Sequence, residues 1–173
     1  MTMALLGLFT SCKTSNGSGN DDKTTVQPPR PMPQGQLIEV SYHYQGMARE
    51  MIEQPRLSRM NGKPMLEFDF YGEKKQFEVS DTLFDAARTI IEEERMYEYS
   101  TSYSLQMNNE RILDGYSWSF DATFLNPDST RERLSSHGRN AEPDGNGLSR
   151  MRQLLHNTAQ PFAQEEMKKL SGE

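Results

Sequence analysis

Two stretches of this chain carry residues whose types and spacing could do chemistry. The first is Ser135-Ser136-His137-Gly138-Arg139-Asn140-Ala141-Glu142-Pro143-Asp144-Gly145-Asn146-Gly147. It reads as a polar loop, and loops held on a rigid scaffold are where binding and catalytic groups concentrate. His137 with a carboxylate from Asp121, Glu142 or Asp144 would make a general base, so His137 and Asp144 are the catalytic candidates. His137, Arg139, Asn140, Glu142 and Asp144 form the candidate binding set. Asp144 and Asn146 could offer oxygens to Ca²⁺, but two ligands fall short of the roughly six to eight that this ion takes. The plainer reading is that Gly and Asn permit tight turns and that Asp144 or Asn146 caps the helix that follows.

The second is Cys12, the one cysteine of the chain, at the end of Leu5-Leu6-Gly7-Leu8-Phe9-Thr10-Ser11. A short apolar run, small residues and then a Cys is the end of a bacterial lipoprotein signal. The thiol takes a diacylglyceryl group, the chain is cut before Cys12, and the new amine is acylated. More than one acyl chain meets the two-signal requirement for stable membrane anchoring. A leader of this kind opens with a basic segment, and Met1-Thr2-Met3 has none; one explanation is a misplaced start, with a basic segment lost upstream. The alternative is a frayed apolar N-terminus with an incidental cysteine. The apolar run is far below the roughly 18 residues of a spanning helix, and one Cys makes no internal disulfide framework.

Nothing else supplies a motif. The sequence has no phosphate-binding glycine loop, zinc spacing, nucleophile elbow or EF-hand. His43, His137 and His156 are not at metal-ligand spacing from one another. No metal and no cofactor is expected. His43 falls on the polar face of a strand and His156 late in a helix, where a cation suits the dipole; both read as structural. The net charge is −6 with a pI near 5.2, which argues against nucleic acid, since that partner selects basic patches. The eleven Met residues are mostly scattered and read as core filling.

The elements that must position these residues follow from hydrophobic period. Residues 13–36 are rich in Ser, Thr, Asn, Gly, Asp and Pro and cannot bury enough apolar surface to offset their ordering entropy. They are expected to be a disordered tether, extended through Gln27-Pro28-Pro29-Arg30-Pro31-Met32-Pro33. The remainder, 37–173, is one domain by length.

In Leu37 to Gly46, Ile38, Val40, Tyr42 and Tyr44 alternate with Glu39, Ser41 and His43, the pattern of a strand with one buried face. Ala48 to Leu57 is ambiguous, with Pro55 limiting any helix. Asn61-Gly62 marks a turn, and 65–70 and 76–79 read as a hairpin around Gly72. Ser80 and Asp81 are both good N-caps for a helix using Leu83, Phe84, Ala87, Ile90 and Ile91, with Glu92, Glu93 and Glu94 as its solvated face. Tyr97 to Leu105 could be a further strand. Tyr116, Trp118, Phe120, Ala122 and Phe124 alternate clearly, with 131–136 returning as the partner strand. A last helix uses Leu148, Met151, Leu154 and Leu155, and Pro161 is expected to end or kink it.

The expected fold class is therefore α+β: an antiparallel sheet of about five to six strands with two helices on one face. Strand, turn, strand, helix is read in 65–94 and again in 117–157. This is either a duplicated ββα unit or a common arrangement arising twice.

The end at Cys12, the polar tether and the Trp118-to-Leu155 stretch resemble small Bacteroides-type cell-envelope lipoproteins. Their C-terminal part similarly runs from a Trp-containing strand to a Ser-rich strand end, a Gly/Asn/Pro loop and a short helix. The resemblance implies a lipid anchor in the outer membrane and no known activity. In that group, acidic residues close behind the Cys favour surface export. Lys13-Thr14-Ser15 stands there instead, so the periplasmic side is expected, with surface display as the alternative.

Two function classes remain. One is a non-enzymatic envelope module that binds a protein, peptide or glycan. The other is an envelope hydrolase built on His137. A pocketed His137 would favour the enzyme, and a flat exposed aromatic patch around Tyr97, Tyr99 and Tyr103 would favour binding.

Overall fold

A computed structural model describes residues 30–46, 50–105 and 115–172. Cys12, the segment before it and residues 13–29 of the expected tether lie outside the described residues.

The chain is α+β, in the order β1 (Gln36–Gln45), β2 (Ile52–Met60), β3 (Lys63–Phe70), β4 (Glu73–Glu78), α1 (Thr82–Glu93), β5 (Ser102–Ser104), β6 (Ser117–Leu125), β7 (Arg131–Arg139) and α2 (Gly147–Ser171), with a 3-10 turn at Met96–Glu98. The strands form one sheet in the order β4-β3-β2-β1-β6-β7-β5. Two expectations are corrected here. The sheet has seven strands rather than five or six, because the polar β2 and the short β5 both join it. It is also not wholly antiparallel: β5 pairs parallel to β7. The chain reaches β5 from the far end of α1, so it enters alongside β7 rather than against it.

Local chemistry explains the hairpins. Asn61 and Gly62 sit at φ 52° and 80°, and Tyr71 and Gly72 at φ 51° and 88°. Positive φ at both central residues is the two-residue turn whose twist matches its flanking strands. The β2 strand tolerates Pro55 because the ladder is irregular between Glu53 and Arg56, with Gln54 at φ 53°; Pro enters a sheet at such bulges. A second irregularity, between Leu37 and Glu39, changes the expected inward face of β1. It turns Leu37 into the core at 2% exposure and leaves Ile38 only half-buried.

Both helices cover the same face of the sheet. Phe84, Ala87 and Ile91 of α1 and Leu148, Met151 and Leu155 of α2 pack with Val40, Leu57, Trp118, Phe120, Ala122 and Phe124. The far end of α2 places Ala159 and Ala163 over Ile52, Leu66, Phe68 and Phe70. Pro161 does not end α2, which runs on to Ser171 and stops at Gly172 with φ 75°. Pro161 lies on the exposed side of the helix, where water can take the carbonyl that proline leaves without a donor. The α2 N-terminus is held by neither Asp144 nor Asn146 as a side-chain cap. Instead, Glu94 accepts the Asn146 N–H at 3.1 Å and the Arg150 guanidinium at 2.7 Å. Glu94 is thus a joint between the helices rather than part of a solvated face.

Packing begins before Leu37. Pro33 and Gly35, which the sequence reading placed in the tether, are buried, and Met32 rests on the core. Arg88 of α1 donates to the Gly35 and Pro33 carbonyls at 2.5 and 3.2 Å. Among the described residues, no helix is long and apolar enough to cross a membrane.

Candidate functional site

The stretch 135–147 does not close into one loop. Its first part is the end of β7, where strand alternation sends neighbours to opposite faces. Ser136 and Gly138 are buried toward the helices, whereas Ser135, His137 and Arg139 stand exposed on the open face of the sheet. Gly138 is there because Trp118 fills the space beneath it: a Cβ at Gly138 would lie 2.5 Å from the Ala141 carbonyl oxygen and closer still to the indole nitrogen. The Trp118 indole N–H donates to that same oxygen at 2.7 Å.

Asn140, at φ 53°, closes the strand pair. Its N–H donates to the Tyr116 carbonyl at 3.0 Å, and its Oδ1 accepts the Tyr116 N–H at 2.8 Å. Glu142 lies toward the helix side, where burial keeps the Tyr42, Tyr99 and Tyr116 hydroxyls protonated and the Glu142 charge adds to that effect. Asp144 is exposed ahead of α2. Of the five candidate binding residues, the structure therefore brings together His137 and Arg139. Asn140 serves the backbone, and Glu142 and Asp144 lie away from the open face. Asp121 does share that face, but its Oδ1 is held by Arg133 Nε and Nη2 at 3.1 and 2.8 Å.

The open face supplies partners that the sequence reading missed. Residues paired across strands share a face, so register builds rows. One row is His43, Ser119, His137 and Ser102, from β1, β6, β7 and β5. The next is Gln45, Ser117, Arg139 and Ser104. Strands lie about 4.8 Å apart, so each row spans roughly 14 Å, and the rows are about 7 Å apart. Among the described residues, His137, Arg139 and the four serines of these rows have no side-chain hydrogen bond or ion pair. His43 Nδ1 is buried and has no partner either. Arg131, at the other end of β7, is exposed and has no ion pair among the described residues. The signal that would have found these rows is the serines alternating with inward residues in β5 and β6; which serine meets which histidine depends on register alone.

A second cluster sits on the helix side, where β1 ends. Tyr44 stacks on Tyr116 with ring centroids 5.7 Å apart, and the Arg152 guanidinium lies 4.8 Å over the Tyr44 ring. Glu50 pairs with Arg152 and lies 3.5 Å from His156 Nε2. Burial pushes the His156 imidazole below its ordinary range, with Arg152 adding to the effect and Glu50 opposing it. Burial also raises the Tyr42 hydroxyl, and it pushes Tyr99 up to about 12. Perturbed groups mark functional sites as well as structural ion networks. Here each charge is spent on a neighbour, and the Tyr44 ring is engaged by both Tyr116 and Arg152, which is the behaviour of a structural joint.

The anticipated tyrosine patch is not an exposed surface. Tyr97, Tyr99 and Tyr103 are half-buried against the core, with Tyr103 leaning on Trp118 at 5.8 Å. The groove between α1 and α2, lined by Ile90, Arg150, Gln153, Leu154, Asn157 and Thr158, spends its one charge on Glu93 and Glu94. Among the described residues, no three His, Cys, Asp or Glu side chains converge as a metal ion would require.

No protein-family model, curated protein or solved structure matches the chain.

Proposed function

We propose that this chain is a lipid-anchored envelope protein whose domain binds an extended polar polymer on the open face of its sheet and catalyses no reaction. The anchor at Cys12 and the outer-membrane location rest on the sequence around that cysteine and on the resemblance to Bacteroides-type lipoproteins. The binding role rests on one observation: two adjacent rows of hydroxyl, imidazole and guanidinium groups face outward with their hydrogen-bonding capacity unspent.

The charged groups that join the helices to one another and to the rest of the fold are paired. Glu94, Arg150, Glu50, Arg152, Arg88 and Lys75 are all engaged. Two such rows side by side on one face suit an external partner. The rows are flat and wide rather than enclosed, which suits a chain-like ligand better than a small molecule, since small ligands take concave pockets.

The hydrolase reading needs a carboxylate on His137. Asp121 is committed to Arg133, and Glu142 and Asp144 are not on that face, so the dyad is not assembled.

The test is co-sedimentation of the full chain with isolated, insoluble envelope polysaccharide. Ser119→Trp, which raises a bulky ring in the middle of the rows, should abolish sedimentation. Ser149→Trp, on the exposed surface of α2, should leave it unchanged. Equal sedimentation of the two variants would refute binding on the open face.

A further inference from the structure

We infer that the polymer is an acidic polysaccharide, its carboxylates taken by Arg139 and His137 and its hydroxyls by Ser102, Ser104, Ser117 and Ser119. This deepens the open-face reading and rests on it.

The charge pattern is the first argument. The chain as a whole carries −6, yet this half of the open face holds cations without compensating carboxylates. Asp121 is neutralised by Arg133. Glu39 and Glu67, across the sheet, are taken by Arg56, at 2.8 Å and 4.0 Å. That leaves Arg131 and Arg139 facing solvent on one strand, with His137 between them, and the two guanidiniums run against the overall sign of the protein. An anion is the complementary ligand, and a guanidinium with free donors binds a carboxylate in a bidentate fork.

The side chains around His137 and Arg139 narrow the class. Each of His137 and Arg139 has a serine beside it on both neighbouring strands: Ser119 and Ser102 for His137, Ser117 and Ser104 for Arg139. Short hydroxyls donate and accept, and they leave the longer basic groups standing above the surface. A polyhydroxylated chain with a carboxylate at intervals matches this alternation of hydroxyl and cation. A protein partner would need an apolar or aromatic anchor, because interface energy concentrates on such residues. Among the described residues, the exposed large apolar ones are Met60, Tyr71, Leu105, Met167 and Leu170, and of these Leu105 borders the rows.

The test uses the ¹⁵N-labelled full chain and three probes: oligogalacturonate, its fully methyl-esterified form, and polyphosphate of equal charge. Oligogalacturonate should shift the amides of 102–104, 117–119 and 137–139 and spare those of α1 and α2. Methyl esterification and Arg139→Gln should each weaken binding by about tenfold or more, the loss expected for one charge-assisted hydrogen bond. Arg139→Lys should recover part of it. If the ester binds as well as the acid at the same amides, and Arg139→Gln has no effect, the ligand is neutral; the inference fails and the open-face reading stands. If polyphosphate binds as tightly as oligogalacturonate, the serines contribute nothing and the glycan assignment fails. If none of the probes perturbs these amides, this inference and the reading beneath it both fall.

Discussion

The indole of Trp118 lies beneath Gly138 and donates its N–H to the Ala141 carbonyl at 2.7 Å. The contact joins the core to the strand that carries His137 and Arg139. The missing Cβ of Gly138 is what lets β7 lie flat over a residue as large as tryptophan. Gly138→Ala should therefore destabilise the fold, since overpacking a filled site costs roughly 1–3 kcal/mol. Trp118→Ala should cost roughly 3–5 kcal/mol. Urea denaturation followed by circular dichroism measures both. A Gly138→Ala midpoint equal to that of the parent would show that the indole can yield.

Arg88 reaches from α1 to the carbonyls of Pro33 and Gly35, so the folded unit should begin near Met32. Limited proteolysis is expected to stop short of Met32. In Arg88→Ala it should proceed to about Gln36, with a stability loss of roughly 1–3 kcal/mol for unsatisfied carbonyls. Trimming of the parent to Leu37 without loss of stability would show that residues 32–36 are dispensable.

His156 makes stability depend on pH with a definite sign. Burial holds its imidazole below the ordinary range in the folded state, whereas the unfolded chain takes a proton near pH 6.5. Below that value the unfolded state binds more protons. The contribution of this group is thus complete above about pH 6.5 and is lost as pH falls from there through the folded value. His156→Gln should flatten the stability profile between about pH 7 and pH 5 relative to the parent. A variant profile parallel to the parent's would mean that His156 carries no linkage.

Cys12 should carry the anchor. Labelled palmitate is expected to enter the protein when it is expressed behind a complete leader, and Cys12→Ala should abolish the incorporation. Label that persists in the mutant would remove the lipid-anchor reading.

What could be read from the sequence was local. Asn61-Gly62 announces a hairpin because few residues accept positive φ, and the alternation from Tyr116 to Phe124 places Trp118 inward without knowledge of its neighbours. The misses came from pairing. A bulge in β1 exchanged Leu37 for Ile38, and a second irregularity let β2 carry Pro55, in a stretch whose sequence had been ambiguous and had argued only against a helix. Pro161 did not break α2 because tertiary packing of Ala159 and Ala163 outweighs one lost hydrogen bond on the solvent side.

The candidate site was legible in part for the same reason. His137 and Arg139, two residues apart on a strand, must share a face. Glu142 was grouped with them because it is close in sequence, although β7 ends at Arg139 and the chain turns toward the helices. Ser119, Ser102 and His43 reach His137 only through strand register, which no local pattern encodes.

The open face as the binding surface is tested most directly by footprinting the three histidines of the chain with diethyl pyrocarbonate, with and without saturating envelope polysaccharide. His137 stands exposed on β7, and His156 sits half-buried beside Glu50. Polysaccharide should suppress modification of His137, and of whatever fraction of His43 reacts, while the rate at His156 is unchanged. Protection of His156 with His137 still freely modified would place the ligand on the helix side and contradict the open-face site.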